Sequence, residues 1–135
     1  MQHYSNELLN ESCLCGSEKP YSQCCFPFHS RDKYPETAEQ LMRSRYVAYA
    51  KHLESYLLET WHQSNRPVSF EFDSDLTWHQ LIINDCKKGR KKDQEGWVTF
   101  TAFYQVAGNQ NQFQEKSYFI RDENDHWCYV AGDIN

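Results

Sequence analysis

No run of 18 or more apolar residues occurs among the 135 residues of this chain, so a membrane-spanning helix is not expected. The opening residues Met1, Gln2, His3, Tyr4, Ser5, Asn6 and Glu7 lack the basic-then-apolar order of a secretory leader, which leads us to expect a soluble, cytoplasmic protein. Positive charge is in deficit as well. With 14 Lys and Arg against 19 Asp and Glu, the net charge is −5, which argues against general attraction to nucleic acid or anionic membrane. Aromatic residues are plentiful instead: 9 Tyr, 8 Phe and 4 Trp make up 16% of the chain, enough to build the core of one ordinary domain and to exclude general disorder.

Six cysteines are present, and four of them, Cys13, Cys15, Cys24 and Cys25, are spaced C-x-C-x8-C-C around the turn-rich residues 16–21. In a reducing compartment, clustered cysteines favour metal ligation over disulfides. Four thiolates close a tetrahedral soft-metal site, which most often holds zinc. Such a site has no open position for a catalytic water, so the expected cofactor is a structural zinc and no catalytic or cofactor-binding residue is assigned. Residues 1–30 are expected to form a small zinc knuckle that the metal organises, ahead of a larger body over residues 31–135. His29, four residues beyond Cys25, is an alternative ligand or a histidine that packs against the body. Cys86 and Cys128 stand alone in strand-like segments and read as small buried side chains.

One helical turn is expected through Glu7, Leu8 and Leu9. Thr37 with Gln40 three residues later forms a capping-box signal, followed by apolar positions at helical spacing: Ala38, Leu41, Met42, the stem of Arg45, Tyr46, Tyr49, Ala50 and Leu53. Arg43, Ser44, Lys51 and Glu54 fall off that face. A second helical unit carries Leu53, Tyr56, Leu57 and Trp61 and ends before Pro67, with His62 placed to end it. From there the period changes to two. Val68, Phe70 and Phe72 alternate with polar residues, and strands are expected over 78–86, 96–106, 113–121 and 126–131, with a basic loop at 87–92. Helices followed by a meander of antiparallel strands define an α+β domain with the helices against one face of a curved sheet. Val98, Phe100, Ala102 and Tyr104 should face one way, and Trp97, Thr99, Thr101 and Phe103 the other.

Residues 13–25, CLCGSEKPYSQCC, resemble the SEC-C motif, a small zinc-binding element, and residues 37–50, TAEQLMRSRYVAYA, resemble the helix that follows this motif in the YchJ-like family of bacterial proteins. The resemblance implies an NTF2-like fold for the body. Two departures stand out. Glu18 occupies a position where the motif usually carries glycine, and is expected to keep a negative φ. Many members also carry a second SEC-C motif near the C-terminus, whereas no cysteine pair follows Cys128 here.

The resemblance implies little about activity, because NTF2-like bodies host many unrelated roles. The expected function is a zinc-stabilised binding or adaptor module, not an enzyme, in which Pro20, Tyr21, Phe26 and Phe28 present an apolar surface to a protein partner. A homodimer through the sheet is a second expected association; membrane and nucleic-acid partners are not expected. The alternative is a small-molecule enzyme of isomerase, dehydratase or hydrolase type using a pocket between helices and sheet. Its candidate residues are Tyr46, Tyr49, Trp61, His62, Asp75, His79, Asn84, Tyr104, Tyr118 and Trp127, with His79 and Asp75 as a base and its orienting acid. Arg43 or Arg45 is expected to hold an acidic group of the cysteine module, and the basic loop reads as solvated.

Overall fold

In a computed structural model, which describes residues 9–134, a long helix lies between a cysteine-rich loop on one side and a four-stranded sheet on the other. Thr37 starts this helix, α2 (Ala38–Lys51), by accepting the Gln40 N–H on its hydroxyl at 3.1 Å, as the capping pattern predicts. The return bond differs by one residue, because the Gln40 side chain accepts the N–H of Glu36. The helix ends at His52, whose left-handed φ of 59° lets its N–H reach back to Ala48 and Tyr49. That reversal starts α3 (Glu54–Glu59), so two short helices meet at a sharp joint. Ahead of them a 3-10 turn (Tyr21–Gln23) leads into α1 (Phe26–His29). Leu9 is helical, while Glu7 and Leu8 of the expected first turn lie outside the described residues.

The sheet runs β1 (Leu76–Lys88), β2 (Glu95–Val106), β3 (Asn109–Arg121) and β4 (Trp127–Ile134), each antiparallel to the next and in chain order. Register shifts interrupt the β1–β2 ladder at Trp78/Gln80 and Ile83/Asp85 and the β3–β4 ladder at Tyr118/Phe119. Such bulges bend the strands around the helix. Val98, Phe100 and Ala102 are buried on the inner face with Leu81 and Phe119, while Trp97, Thr99, Thr101 and Phe103 lie half-buried on the outer face, as the alternation predicts. Gly96 on β2 crosses Gly89 so closely that a Cβ there would lie 2.4 Å from the Gly89 Cα. The Gly89 carbonyl in turn accepts the Ala38 N–H at 2.9 Å, fixing the start of α2 to the β1–β2 hairpin.

The structure corrects the extended segment expected at Val68, Phe70 and Phe72. Val68 is 99% exposed and residues 67–73 form no strand. The Phe70 N–H is taken by the Glu54 carboxylate, Phe70 packs edge-on against Tyr49, and Phe72 stacks on His52. Both rings cover the joint between α2 and α3 instead of one face of a sheet. Ser44, read as lying off the core face, is fully buried and bonds the Tyr56 hydroxyl and the Leu41 carbonyl. Because α2 is covered on both sides, its buried residues extend nearly around the helix. Cys13, Cys15, Tyr21 and Cys25 share one cluster with Leu41, Val47 and Phe119, so the cysteine loop packs into the core of the body.

Candidate metal centre and the cavity beneath it

The cysteine loop is closed by an antiparallel bridge between Ser12 and Pro20 and by the Cys13 N–H donating to the Lys19 carbonyl at 2.7 Å. Gly16 and Glu18 turn the chain between them at φ of 86° and 69°. The negative φ expected for Glu18 is therefore corrected: a second left-handed residue, two after Gly16, completes the turn of the loop. Pro20 then starts the 3-10 turn, and Cys25 caps α1, whose second residue is Pro27. The two halves bring all four sulfurs of Cys13, Cys15, Cys24 and Cys25 within 4.8 Å of one another, with Cys15 to Cys24 at 3.5 Å and Cys24 to Cys25 at 3.9 Å. A tetrahedral ion bound at a metal–sulfur distance of about 2.3 Å separates its ligands by roughly 3.8 Å, so this cluster could hold a metal ion.

Hydrogen bonding within the cluster distributes the protons unequally. Contact with Cys13 lowers the pKa of Cys15, and that of Cys24 to about 6, while contact with the neighbouring sulfurs raises Cys13 and Cys25. A bound cation would displace the protons that remain. Around the ring, the Ser17 hydroxyl lies 3.0 Å from the Cys24 sulfur. Arg43 donates from Nη1 to the Cys15 carbonyl at 2.6 Å and from Nε to Glu39 at 3.0 Å. Burial works against the Arg43 cation, but the Glu39 hydrogen bond and the negative charge at Cys15 leave its pKa raised. Arg43 thus ties the cysteine loop to α2 through a backbone carbonyl, where the sequence suggested an acidic group.

His29 does not join the sulfurs. Its Nε2–H donates to the Ser44 carbonyl at 2.8 Å, which leaves Nδ1 to accept the Tyr21 hydroxyl at 2.6 Å. This arrangement also reduces the apolar surface expected on the knuckle from Pro20, Tyr21, Phe26 and Phe28, and Pro20 is half-buried. Tyr21 is buried, and Phe26 and Phe28 are half-buried against the core, because docking the loop onto α2 uses these rings. Cys128 is buried as expected, but Cys86 is exposed near the end of β1, where its side chain faces Glu39.

On the opposite side of α2 a cavity of about 220 Å³ opens against the inner sheet face. Met42, Tyr46, Tyr49, Trp78, Phe100 and Phe113 form most of its wall, with Arg45, Glu115 and Tyr129 as its polar groups. Tyr46 and Tyr49 are the sequence candidates that line it. Trp61 packs edge-on against Tyr129, and Tyr104 packs edge-on against Phe113 and tilted against Trp78, just behind the wall. The other candidates are elsewhere. Trp127 donates its Nε1–H to the Glu36 carbonyl, and Tyr118 bonds Glu95. Asn84 accepts from Thr101 and Gln114. His79 meets Gln105, while the backbone N–H of Asp75 bonds Asp73 in a turn, so the base and acid pairing does not form. His62 lies beyond the end of α3, bonded to Ser64, with its N–H on the Tyr129 carbonyl.

Sequence reasoning missed Arg45 as a polar group of the cavity, and Glu115. The alternation of Phe113, Glu115, Ser117 and Phe119 along β3 places that carboxylate on the inner face, a signal that was present in the sequence. Burial raises the hydroxyl pKa of Tyr46 to about 12 and also raises those of Tyr49 and Tyr129, so these groups stay neutral. In the basic loop, Lys88, Arg90 and Lys91 meet Glu95, Asp93 and Glu36, and Lys87 lies over the Trp97 ring. Among the described residues no helix is long and apolar enough to cross a membrane.

Comparison with known proteins places these features in a family. The model of the YchJ middle NTF2-like domain matches residues 37–132, and that of the SEC-C motif matches residues 10–27. A UPF0225 protein of Chromobacterium violaceum is 40% identical over 132 residues, covering 95% of this chain and 96% of its own. One from Corynebacterium glutamicum is 36% identical, covering 94% of this chain and all of its own length. The solution structure of a SEC-C motif containing protein from Rhodopseudomonas palustris superimposes with a TM-score of 0.80 at 29% identity, over 91% of this chain and 98% of that one. The crystal structure of a SEC-C motif containing protein from Psychrobacter arcticus shares the fold, with a TM-score of 0.76 at 18% identity over 93% of this chain and 83% of that one.

Proposed function

Since this chain belongs to the YchJ family, with a middle NTF2-like domain behind a SEC-C motif, we propose that it is a small-molecule-binding protein whose four-cysteine centre holds a structural zinc ion. The observation that carries the reading is the pairing of the two sites across one helix. The sulfur cluster grips α2 from behind through Arg43 and His29, and the front of α2 forms one wall of the aromatic cavity. A soft, four-sulfur donor set suits zinc and leaves it no open position, so the metal fixes the wall and takes no part in chemistry. The cavity supplies what ligand sites commonly have, a mostly apolar lining with a few polar groups.

Binding is favoured over catalysis because, among the described residues, the lining holds no histidine or thiol and its carboxylate, Glu115, is already held by the Tyr129 and Ser117 hydroxyls. The knuckle aromatics Tyr21, Phe26 and Phe28 pack against the body, which leaves less surface for the adaptor role expected from the sequence. Native mass spectrometry of the protein purified from its own cells tests the reading. The expected result is one zinc ion per chain and a retained small molecule that is lost when Ala102, buried in the cavity wall, is changed to Met. Zinc without a bound molecule, together with no binding from a cell metabolite extract, would sink the binding reading and leave the structural metal standing.

A further inference from the structure

Arg45 is 2% exposed, and no carboxylate among the described residues lies within ion-pair reach of its guanidinium. Its Nη1 donates to the Leu57 carbonyl at 2.8 Å and the Thr60 hydroxyl at 2.7 Å, both neutral acceptors. The guanidinium carbon lies 5.0 Å from the Trp61 ring centroid and 4.7 Å from that of Tyr129. A cation buried among neutral groups is costly unless an anion meets it.

Its neighbours point in the same direction. The Trp61 Nε1–H, on the ring beside the guanidinium, is buried without an acceptor among the described residues. The one carboxylate on the cavity wall among the described residues, Glu115, sits at the hydroxyl end of Tyr129, which donates to it at 3.3 Å, and the Ser117 hydroxyl bonds it as well. Glu115 is therefore held by hydroxyls, and Arg45 keeps its positive charge on a wall that, Glu115 apart, is made of aromatic rings, Met42 and Ala102. The surplus at the Arg45 end is of donors and positive charge, and a ligand must supply acceptors and negative charge to balance it.

We infer that the cavity takes a small carboxylate with a planar or apolar body, its anionic oxygens meeting Arg45 and its body lying among Tyr46, Tyr49, Trp78 and Phe113. This rests on the binding reading above and adds the chemical class of the ligand. The volume of about 220 Å³ suits a single-ring acid better than a nucleotide or an acyl chain. Charge-assisted bonding at Arg45 would select the acid over its neutral isostere, while an amine would have to compete with the Tyr129 and Ser117 hydroxyls for Glu115.

The test is a titration of the zinc-loaded full chain with phenylacetate, phenylacetamide and phenethylamine, followed by Trp fluorescence and by indole and methyl NMR shifts of cavity residues. Phenylacetate is expected to bind about tenfold or more tightly than the amide, the scale of one hydrogen bond to a charged group. Arg45→Lys should keep part of that preference and Arg45→Met should abolish it. Should Arg45→Met fail to fold, the acid-to-amide ratio in the unaltered protein still decides. Equal binding of acid and amide, or tighter binding of the amine, would overturn the carboxylate assignment while the cavity remained a binding site. No shift at Trp78 or Met42 with any of the three would overturn both.

Discussion

The Tyr21 hydroxyl lies 2.6 Å from Nδ1 of His29, and the other nitrogen of the same ring bonds the Ser44 carbonyl of α2, so one imidazole joins the cysteine loop to the body. Burial is the largest influence on this ring and pushes its pKa down to about 4. A histidine whose folded pKa lies below its unfolded value of about 6.5 contributes full stability above pH 6.5 and loses it as pH falls toward 4. The loss amounts to as much as about 3 kcal/mol from about 2.5 pKa units. Acid also strips metal from cysteines, so urea midpoints at pH 7 and 4.5 should be compared between the native chain and His29→Gln. The native chain is expected to show the larger acid-induced drop. An equal drop in both would mean that His29 carries none of the acid sensitivity.

Metal removal should release more than an ion. The four sulfurs sit inside the same cluster as Leu41, Val47 and Phe119, so losing the cation leaves repelling or re-protonated thiolates against the main core. Thiol titration of the native protein should count the exposed Cys86 first, and four further thiols should become reactive with a strong zinc chelator. The melting temperature should fall by roughly 10 °C or more, because binding free energy at such a site is folding free energy. A thiol count that is unchanged by the chelator would refute a bound metal at these residues.

Much of this architecture could be read from residue order. The Thr37 cap and the alternation along β2 are local signals, and local physics decided both. The C-x-C and C-C pairs likewise placed their sulfurs together with no need to know the rest of the fold. What was hidden depended on distant neighbours. Phe70 and Phe72 alternate like strand residues, but the helix joint at His52 offered their rings a better surface than a sheet edge. Arg45 looked like an apolar stem on a helix face, and only the fold shows Leu57 and Thr60 holding its Nη1 beside the Tyr129 ring at the cavity wall. Cys86 carried a core-like pattern but is exposed, with its side chain against Glu39 at the start of α2.

Arg43 links the cysteine loop to α2 through the Cys15 carbonyl, at one of the shortest hydrogen bonds of the site. Replacing it by Met retains much of the stem and removes the donor. The carbonyl then loses a charged partner, which should cost about 1.5 to 3 kcal/mol. Metal affinity should fall by about tenfold or more, as when outer-shell support of a ligand is removed. Competition with a chromogenic chelator measures the affinity and urea unfolding the stability. If stability fell while metal affinity held, Arg43 would be a docking contact only and would have no influence on the sulfur cluster.

Two glycines with different surroundings separate backbone strain from collision. Gly108, in the β2–β3 turn, has φ of 84° and open space where a Cβ would stand, so Gly108→Ala should cost only the left-handed penalty of about 1 to 2 kcal/mol. Gly96 faces the backbone of Gly89 at 2.4 Å and 2.6 Å from the position a Cβ would take, and Gly89 is itself pressed against Ala38. Backbone cannot swing aside as a flexible side chain can, so Gly96→Ala must part the hairpin from the start of α2 and break the Ala38 N–H bond to Gly89. That change should cost about 3 kcal/mol or more, beyond ordinary overpacking. Urea midpoints of the two variants rank the effects directly. Gly96→Ala as mild as Gly108→Ala would show that the hairpin and helix are not held in the close contact on which the position of the cavity wall depends.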